Sequence, residues 1–496
     1  MRMDAEQLKE DIRAGRIDAE RLVELMVVLQ RELRAAKQRI EELEKQIGKS
    51  PAAKLDEPFS MRAEEKRQEK RGKQKPKRKR PRRRGRITTA EKLALASRTE
   101  QVFPTGVEQD QCKLSHTRPV WRIEAGQAVC IAYEVYRAGN QFGQIPGVLG
   151  RSEFGLEIVI SIAYQVYVVG LSFDKVTLLM NFFQNLKLRK SQVDALLYQL
   201  SKQWESEFDT ICTLLAHSAV VHTDETSWSI KSVWAFLSEK VRVMFFGVHK
   251  DAATLEQILD PASFAGIVIS DDAAVYANFT QSQKCWAHLL RKAIKLTLLE
   301  PENEEYRQFA DRLLEVYRTA CRVQRDGRFS DAGREAKVGE LNDEIVDLCW
   351  SVWILELPPL EDDHANDYRL LCNELMKLLL AKQLFVFVTA AAVKDPQGHS
   401  QPVAGTNNEA ERSLRGAAQD RKTGRTSKTA RGARRRTVIV SVLDSLRPHL
   451  PTFTLSSVIA EIQQWLPRGG SLFENLRRQL NLPPPTTSLL DSLFPA

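Results

Sequence analysis

Two aspartates stand where short apolar runs stop. Asp224 follows Ala219-Val220-Val221-His222-Thr223, and Asp271 follows Gly266-Ile267-Val268-Ile269-Ser270, with Asp272 beside it. A short apolar run that climbs to an acidic residue is the pattern of a buried strand delivering a carboxylate to a sheet edge. Hard divalent ions take oxygen ligands, and carboxylates supply both the oxygen and the compensating charge. If the two strands lie side by side, Asp224 and Asp271 face one another and could hold a divalent metal. For either residue alone, a surface carboxylate at a strand end is the plainer reading.

The sequence between them decides whether the strands can be neighbours. Ser232–Leu237 and Val241–Val248 are β-rich, and Ala252–Leu259 has a helical pattern closed by Asp260-Pro261. Three strands, a crossover helix and a fourth strand follow the order of ribonuclease-H-like sheets, in which the first and fourth strands are adjacent. The expected fold class is therefore α/β, with a ribonuclease-H-like mixed sheet. Residues 293–400 interrupt it with helical sequence, including Glu304–Arg322, Gly339–Trp350 and Tyr368–Leu384, and read as an inserted helical subdomain. Beyond the insertion, Thr406 or Asn407 can cap a helix that carries Glu409 and Glu411 in its first turns.

The flanking sequence is strongly basic. The net charge is +9 with a pI near 9.1, and the cations are clustered, which points to a polyanion such as nucleic acid. Leu22, Met26, Leu29, Leu33, Ala36, Ile40, Leu43 and Ile47 form an a/d seam, so residues 1–48 read as a coiled coil that makes a homo-oligomer. Residues 49–99 read as a disordered basic linker, whose Lys77, Arg78, Lys79 and Arg80 would contact DNA phosphates. Residues 100–145 form a small β-rich segment, with a hairpin turning at Ala125-Gly126. Residues 146–210 are helical, and the pair of helices around a turn at Gln184–Leu188 is helix-turn-helix-like, a possible DNA-binding region. The core is expected in two parts, 211–292 and 401–446, with a peripheral tail over 447–496.

Several function classes drop out. The start of the chain has no apolar signal-peptide core, and the longest uncharged run, Ile158–Phe173, is too short for a membrane span and contains Ser, Gln and Tyr. Seven scattered cysteines suit a reducing compartment, so a cytoplasmic protein without a membrane partner is expected. Cys112, His116 and Cys130 lack a CxxC pair and a clear fourth ligand, so zinc is not expected there. Cys285 and His288 have CxxH spacing, half of a possible zinc site, with no partner pair evident.

Four spaced motifs together look like the insertion-sequence 66 family of bacterial DDE transposases. They are His222-Thr223-Asp224-Glu225-Thr226-Ser227-Trp228, Ser270-Asp271 with Tyr276 five residues later, Gln283-Lys284-Cys285-Trp286-Ala287-His288-Leu289-Leu290-Arg291, and Asn407-Asn408-Glu409-Ala410-Glu411-Arg412. The resemblance covers about residues 150–445. It implies Asp224, Asp271 and Glu411 as catalytic, metal-holding residues, Mg²⁺ or Mn²⁺ as cofactor, and cleavage and strand transfer on double-stranded DNA, both element ends and target, with helper proteins possible. Asp271 fits the spacing to Tyr276 better than Asp272, and Glu411 rather than Glu409 directly precedes the arginine. Many relatives carry a cysteine-rich zinc motif ahead of the core, here reduced to Cys112 and Cys130. Arg412, Arg415, Lys422 and Arg425 are placed to grip phosphates. His288, Trp228 and Asn408 are placed beside the triad, Trp228 either as a core aromatic or as a platform for an unpaired base.

Overall fold

The computed structural model describes residues 87–353, 363–394, 398, 400–465, 470–485 and 488–494. The heptad seam and the cluster Lys77, Arg78, Lys79 and Arg80 lie outside these residues. Described structure begins within the stretch expected to be a disordered linker. Thr88 and Glu91 cap α1 (Thr89–Leu93) reciprocally, and Lys92 reaches Glu153 at 2.6 Å. Strand β1 (Arg98–Val102) then runs parallel to the second strand of a long hairpin. That hairpin, β2 (Lys113–Glu124) and β3 (Gln127–Ala138), turns at Ala125 and Gly126, both with left-handed φ (+48° and +80°), as a two-residue primed turn requires. A two-residue strand, β4 (Gln141–Phe142), folds back on β3.

Four helices follow: α2 (Leu156–Tyr167), α3 (Phe173–Gln184), α4 (Lys190–Gln203) and α5 (Glu205–Ala216). Leu156, Ile158, Val159, Ile160, Ile162 and Ala163 of α2 are all buried, so the apolar run there is core. α3 ends at Asn185, whose left-handed φ of +53° stops the helix before α4 begins. α4 buries Val193, Leu196, Leu197 and Leu200, leaving Arg189, Lys190 and Ser191 at its exposed start.

The central sheet contains β5 (Val220–Ser227), β6 (Ser232–Leu237), β7 (Arg242–Val248), β8 (Ile267–Ser270) and β9 (Ser282–Lys284), with helix α6 (Ala252–Ile258) crossing from β7 to β8. Its order is β7-β6-β5-β8-β9. The first three strands are antiparallel, and β5, β8 and β9 are parallel. Alternation along the parallel pair explains its continuous apolar sequence. Val221 and Val268 enter one core, while Val220, Ile267 and Ile269 enter another on the opposite face. The second core belongs to the insertion, made of α7 (Trp286–Leu299), α8 (Glu304–Arg325), α9 (Asp331–Cys349), α10 (Asp363–Leu380) and the single turn α11 (Val386–Thr389). A short hairpin, β10 (Ala392–Lys394) and β11 (Ser400–Pro402), leads out of it.

The first face is covered by α12 (Asn408–Lys422) and α13 (Ala430–Leu446) together with the earlier helices. α13 also solves the problem of the sheet's outer edge. Thr437, Ser441 and Ser445, spaced one helical turn apart, accept from the backbone N–H groups of Phe246, Met244 and Arg242 at 3.0, 2.9 and 2.9 Å. An edge strand's free donors are thereby satisfied under a buried helix.

The C-terminal segment is not peripheral, contrary to expectation. α14 (Leu455–Trp465), α15 (Leu472–Gln479) and α16 (Leu489–Leu493) return to the first core and bury Val458, Ile462, Phe473, Leu490 and Phe494. Trp465 tilts against Trp204 with ring centroids 6.1 Å apart. Pro451 lies just before α14, and Pro483–Pro485 lie between α15 and α16.

Ser441→Ala removes the acceptor for a buried N–H, so it is expected to lower stability by about 1–3 kcal/mol. Urea denaturation of wild type and variant measures the difference; an unchanged midpoint contradicts this account of the edge.

Candidate active site

Register brings the two aspartates together. Val220, Val221 and His222 of β5 pair with Ile267, Val268 and Ile269 of β8, and the same register carried two residues further sets Asp224 level with Asp271. Both carboxylates are half-buried. Their hydrogen bonds come from the backbone: Glu225 N–H donates to Asp224 at 2.9 Å, and Ala273 N–H donates to Asp271 at 3.1 Å. Among the described residues neither has an ion pair. Burial, first, and then the carboxylates of Glu225, Asp271 and Glu411 push Asp224 up to about 7.

The adjacent acids take other routes. Asp272 turns to the insertion, where Lys377 of α10 pairs with it at 3.0 Å. Glu225 is deeply buried and holds Lys250 at 2.6 Å and the hydroxyl of Tyr276. Glu409 pairs with Arg242 at 2.8 Å. Glu411, one turn into α12, instead meets Arg291 of α7 at 2.8 Å and lies 3.6 Å from His288 Nε2.

α12 is held against β5 by a residue the sequence suggested only as a cap. Asn407 is fully buried, and its side chain donates to the carbonyl of Thr223 at 2.7 Å rather than capping its own helix. Its backbone N–H donates to Cys285 Sγ at 3.1 Å. One residue thus ties the glutamate helix to the strand of Asp224 and to the start of α7. Lys284, buried at the end of β9, donates to Ser270 Oγ at 3.2 Å and to the Asp271 carbonyl at 3.1 Å, fixing the end of β8. Burial pulls its ammonium below the ordinary lysine value. Sequence reasoning gave no role to Asn407's amide, Lys284, or the Glu225–Tyr276–Lys250 cluster. A lysine directly before the apolar Cys285-Trp286 pair was the one available signal.

The other expected residues divide. Arg415 and Lys422 are exposed on α12 and, four and eleven positions beyond Glu411, share its face. Arg412 is exposed and bonds the carbonyl of Asn408, which is itself exposed. Arg425 is partly buried and donates to the Gly170 carbonyl. Trp228 is buried in the first core, where the Arg436 guanidinium lies 5.0 Å from its ring centroid. That burial makes it a core aromatic. His288 stands beside Glu411 and Cys285.

The domain is mixed α/β, with Asp224 and Asp271 on neighbouring strands and Glu411 on a packed helix that also carries the exposed Arg415 and Lys422. Residues 151–379 match the family model described as Transposase IS66 family, which covers the helical region, the sheet and most of the insertion. That stretch, just under half of the chain, is similar to the IS66 transposase family. The family's role is transposition, on DNA. No curated protein matches the chain. Among the described residues no helix is long and apolar enough to cross a membrane.

Asp224→Asn is expected to stabilise the metal-free protein at alkaline pH. A carboxyl raised in the folded state imposes no penalty below the unfolded value near 4. Its penalty grows as pH rises toward about 7 and is complete above it. The melting-temperature gain of the variant over wild type should therefore widen from pH 5 to pH 8; a gain independent of pH contradicts the assignment.

Proposed function

We propose that this chain is a DNA transposase with a ribonuclease-H-like catalytic core. It binds the ends of its insertion sequence, cleaves them and joins them to target DNA, with Asp224, Asp271 and Glu411 as the catalytic carboxylates. The observation that supports this most is their convergence. Asp224 and Asp271 are level in adjacent strands, neither in an ion pair among the described residues, and Glu411 is near enough to raise the Asp224 proton affinity. Three oxygen donors with excess negative charge suit Mg²⁺ or Mn²⁺. Bound there, such ions would supply activation of the attacking oxygen and stabilisation of the leaving one.

The chain's own residues supply position. Asn407 and Lys284 fix the helix and strand ends that bear the acids. Arg291 balances Glu411. Arg415 and Lys422 extend a cationic stripe along the face of α12 that carries Glu411, suited to the phosphates on either side of a scissile bond. Water attacks in the first step and the freed 3′-hydroxyl in the second, so no covalent enzyme intermediate is required. The heptad seam over residues 22–47 supports an oligomer that holds two ends together.

The test incubates wild type and Asp224→Ala with labelled element ends and Mn²⁺ or Mg²⁺. Nicked and joined products from the wild type alone are expected. Nicks without joining would make the protein a nuclease of the same fold. Binding without product from either protein under both metals would make it a DNA-binding regulator. In binding titrations, Arg415→Ala with Lys422→Ala is expected to reduce the slope of log affinity against log salt by about 2, roughly one per lost phosphate contact. An unchanged slope removes both residues from the DNA interface.

A further inference from the structure

The CxxH pair at the start of α7 gains a third ligand in three dimensions. Cys285 is the N-cap residue of α7 and His288 follows one turn later, so both lie at the same end of the helix. Glu411 reaches them from α12. Ligand atoms of Cys285, His288 and Glu411 lie within 4.8 Å of one another. We propose that Cys285, His288 and Glu411 form a thiolate-containing site for one borderline-soft divalent ion, zinc or cobalt in class, distinct in ligand chemistry from the all-oxygen site of Asp224 and Asp271.

The donors suit that class of ion. Sulfur, imidazole and carboxylate are the three ligand types zinc accepts, at about 2.3 Å for sulfur and about 2.0–2.2 Å for nitrogen and oxygen. Three of them leave a fourth position for water. Mg²⁺ has no affinity for thiolate, so the site discriminates against the ion expected next door. The surroundings fit as well. Asn407 N–H donates to Cys285 Sγ at 3.1 Å, an outer hydrogen bond of the kind that orients a thiolate ligand. His288 Nδ1 is buried without a hydrogen-bond partner among the described residues, and Nε2 is 3.6 Å from Glu411, so the ring has a nitrogen to offer on either side. Arg291 occupies Glu411 in the structure, but its side chain is half exposed and can release into solvent. Binding displaces the Cys285 thiol proton to solvent.

Glu411 cannot serve both sites fully. Occupation of the thiolate site draws Glu411 away from Asp224 and Asp271, so zinc opposes magnesium. That consequence rests on the triad reading; the binding itself does not.

The test is a Co²⁺ titration of the full-length protein, read by the thiolate-to-cobalt charge-transfer band and the visible ligand-field bands. One equivalent with the intensity of a tetrahedral site is expected. The charge-transfer band should vanish in Cys285→Ser and persist in Asp224→Ala. The His288→Gln variant retains the thiol and should bind Co²⁺ at least about tenfold more weakly, which decides the matter if Cys285→Ser does not fold. A missing thiolate band in the wild type, a band that survives Cys285→Ser, or unchanged affinity in His288→Gln overturns the proposal. Because the readout is spectroscopic, it stands or falls separately from DNA cleavage.

Discussion

Gathering carboxylates in a half-buried place is costly, because burial disfavours charge and like charges disfavour one another. The structure around Asp224 is arranged to hold that arrangement together. Each neighbouring acid except the two level aspartates is given a cation: Lys250 for Glu225, Lys377 for Asp272, Arg242 for Glu409 and Arg291 for Glu411. Asp224 and Asp271 receive backbone N–H groups instead. The charge left over is what a divalent cation would balance; burial, first, and then the neighbouring carboxylates raise Asp224.

Rigidity for such a site has to come from buried framework rather than from the acids. Two cores sandwich the parallel strands, one built from the helices before and after the sheet and the other from the insertion. Gln283 and Trp286 anchor the insertion beside the site by donating to the Leu384 carbonyl at 2.9 and 2.7 Å. Asn407 and Lys284 then pin the last residues that bear the acids. Buried polar groups of this kind are stabilising only when they are satisfied, so each works as a positional constraint as well as a bond.

The parts of this architecture legible in sequence were those set by periodicity. Val220–Val221 and Ile267–Ile269 are apolar on both faces, which marks central parallel strands, and the chain order makes them neighbours. Spacing in the sequence favours Glu411 over Glu409 and Asp271 over Asp272, but the cations met by Glu411, Glu409 and Asp272 come from distant elements and could not be read there. Asn407 resembled an ordinary cap because asparagine is common there; its reach to Thr223 depends on how α12 packs. Thr437, Ser441 and Ser445 were hidden beside a basic run, and the tail's buried Phe473 and Leu490 were hidden among prolines.

The most direct test is calorimetric titration of Mn²⁺ into the wild type and into Asp224→Asn, Asp271→Asn and Glu411→Gln, each checked for fold by circular dichroism. The account requires that all three substitutions weaken the same binding event. If Mn²⁺ binds Glu411→Gln or Asp271→Asn as tightly as the wild type, the three carboxylates do not form one metal site and the catalytic assignment fails.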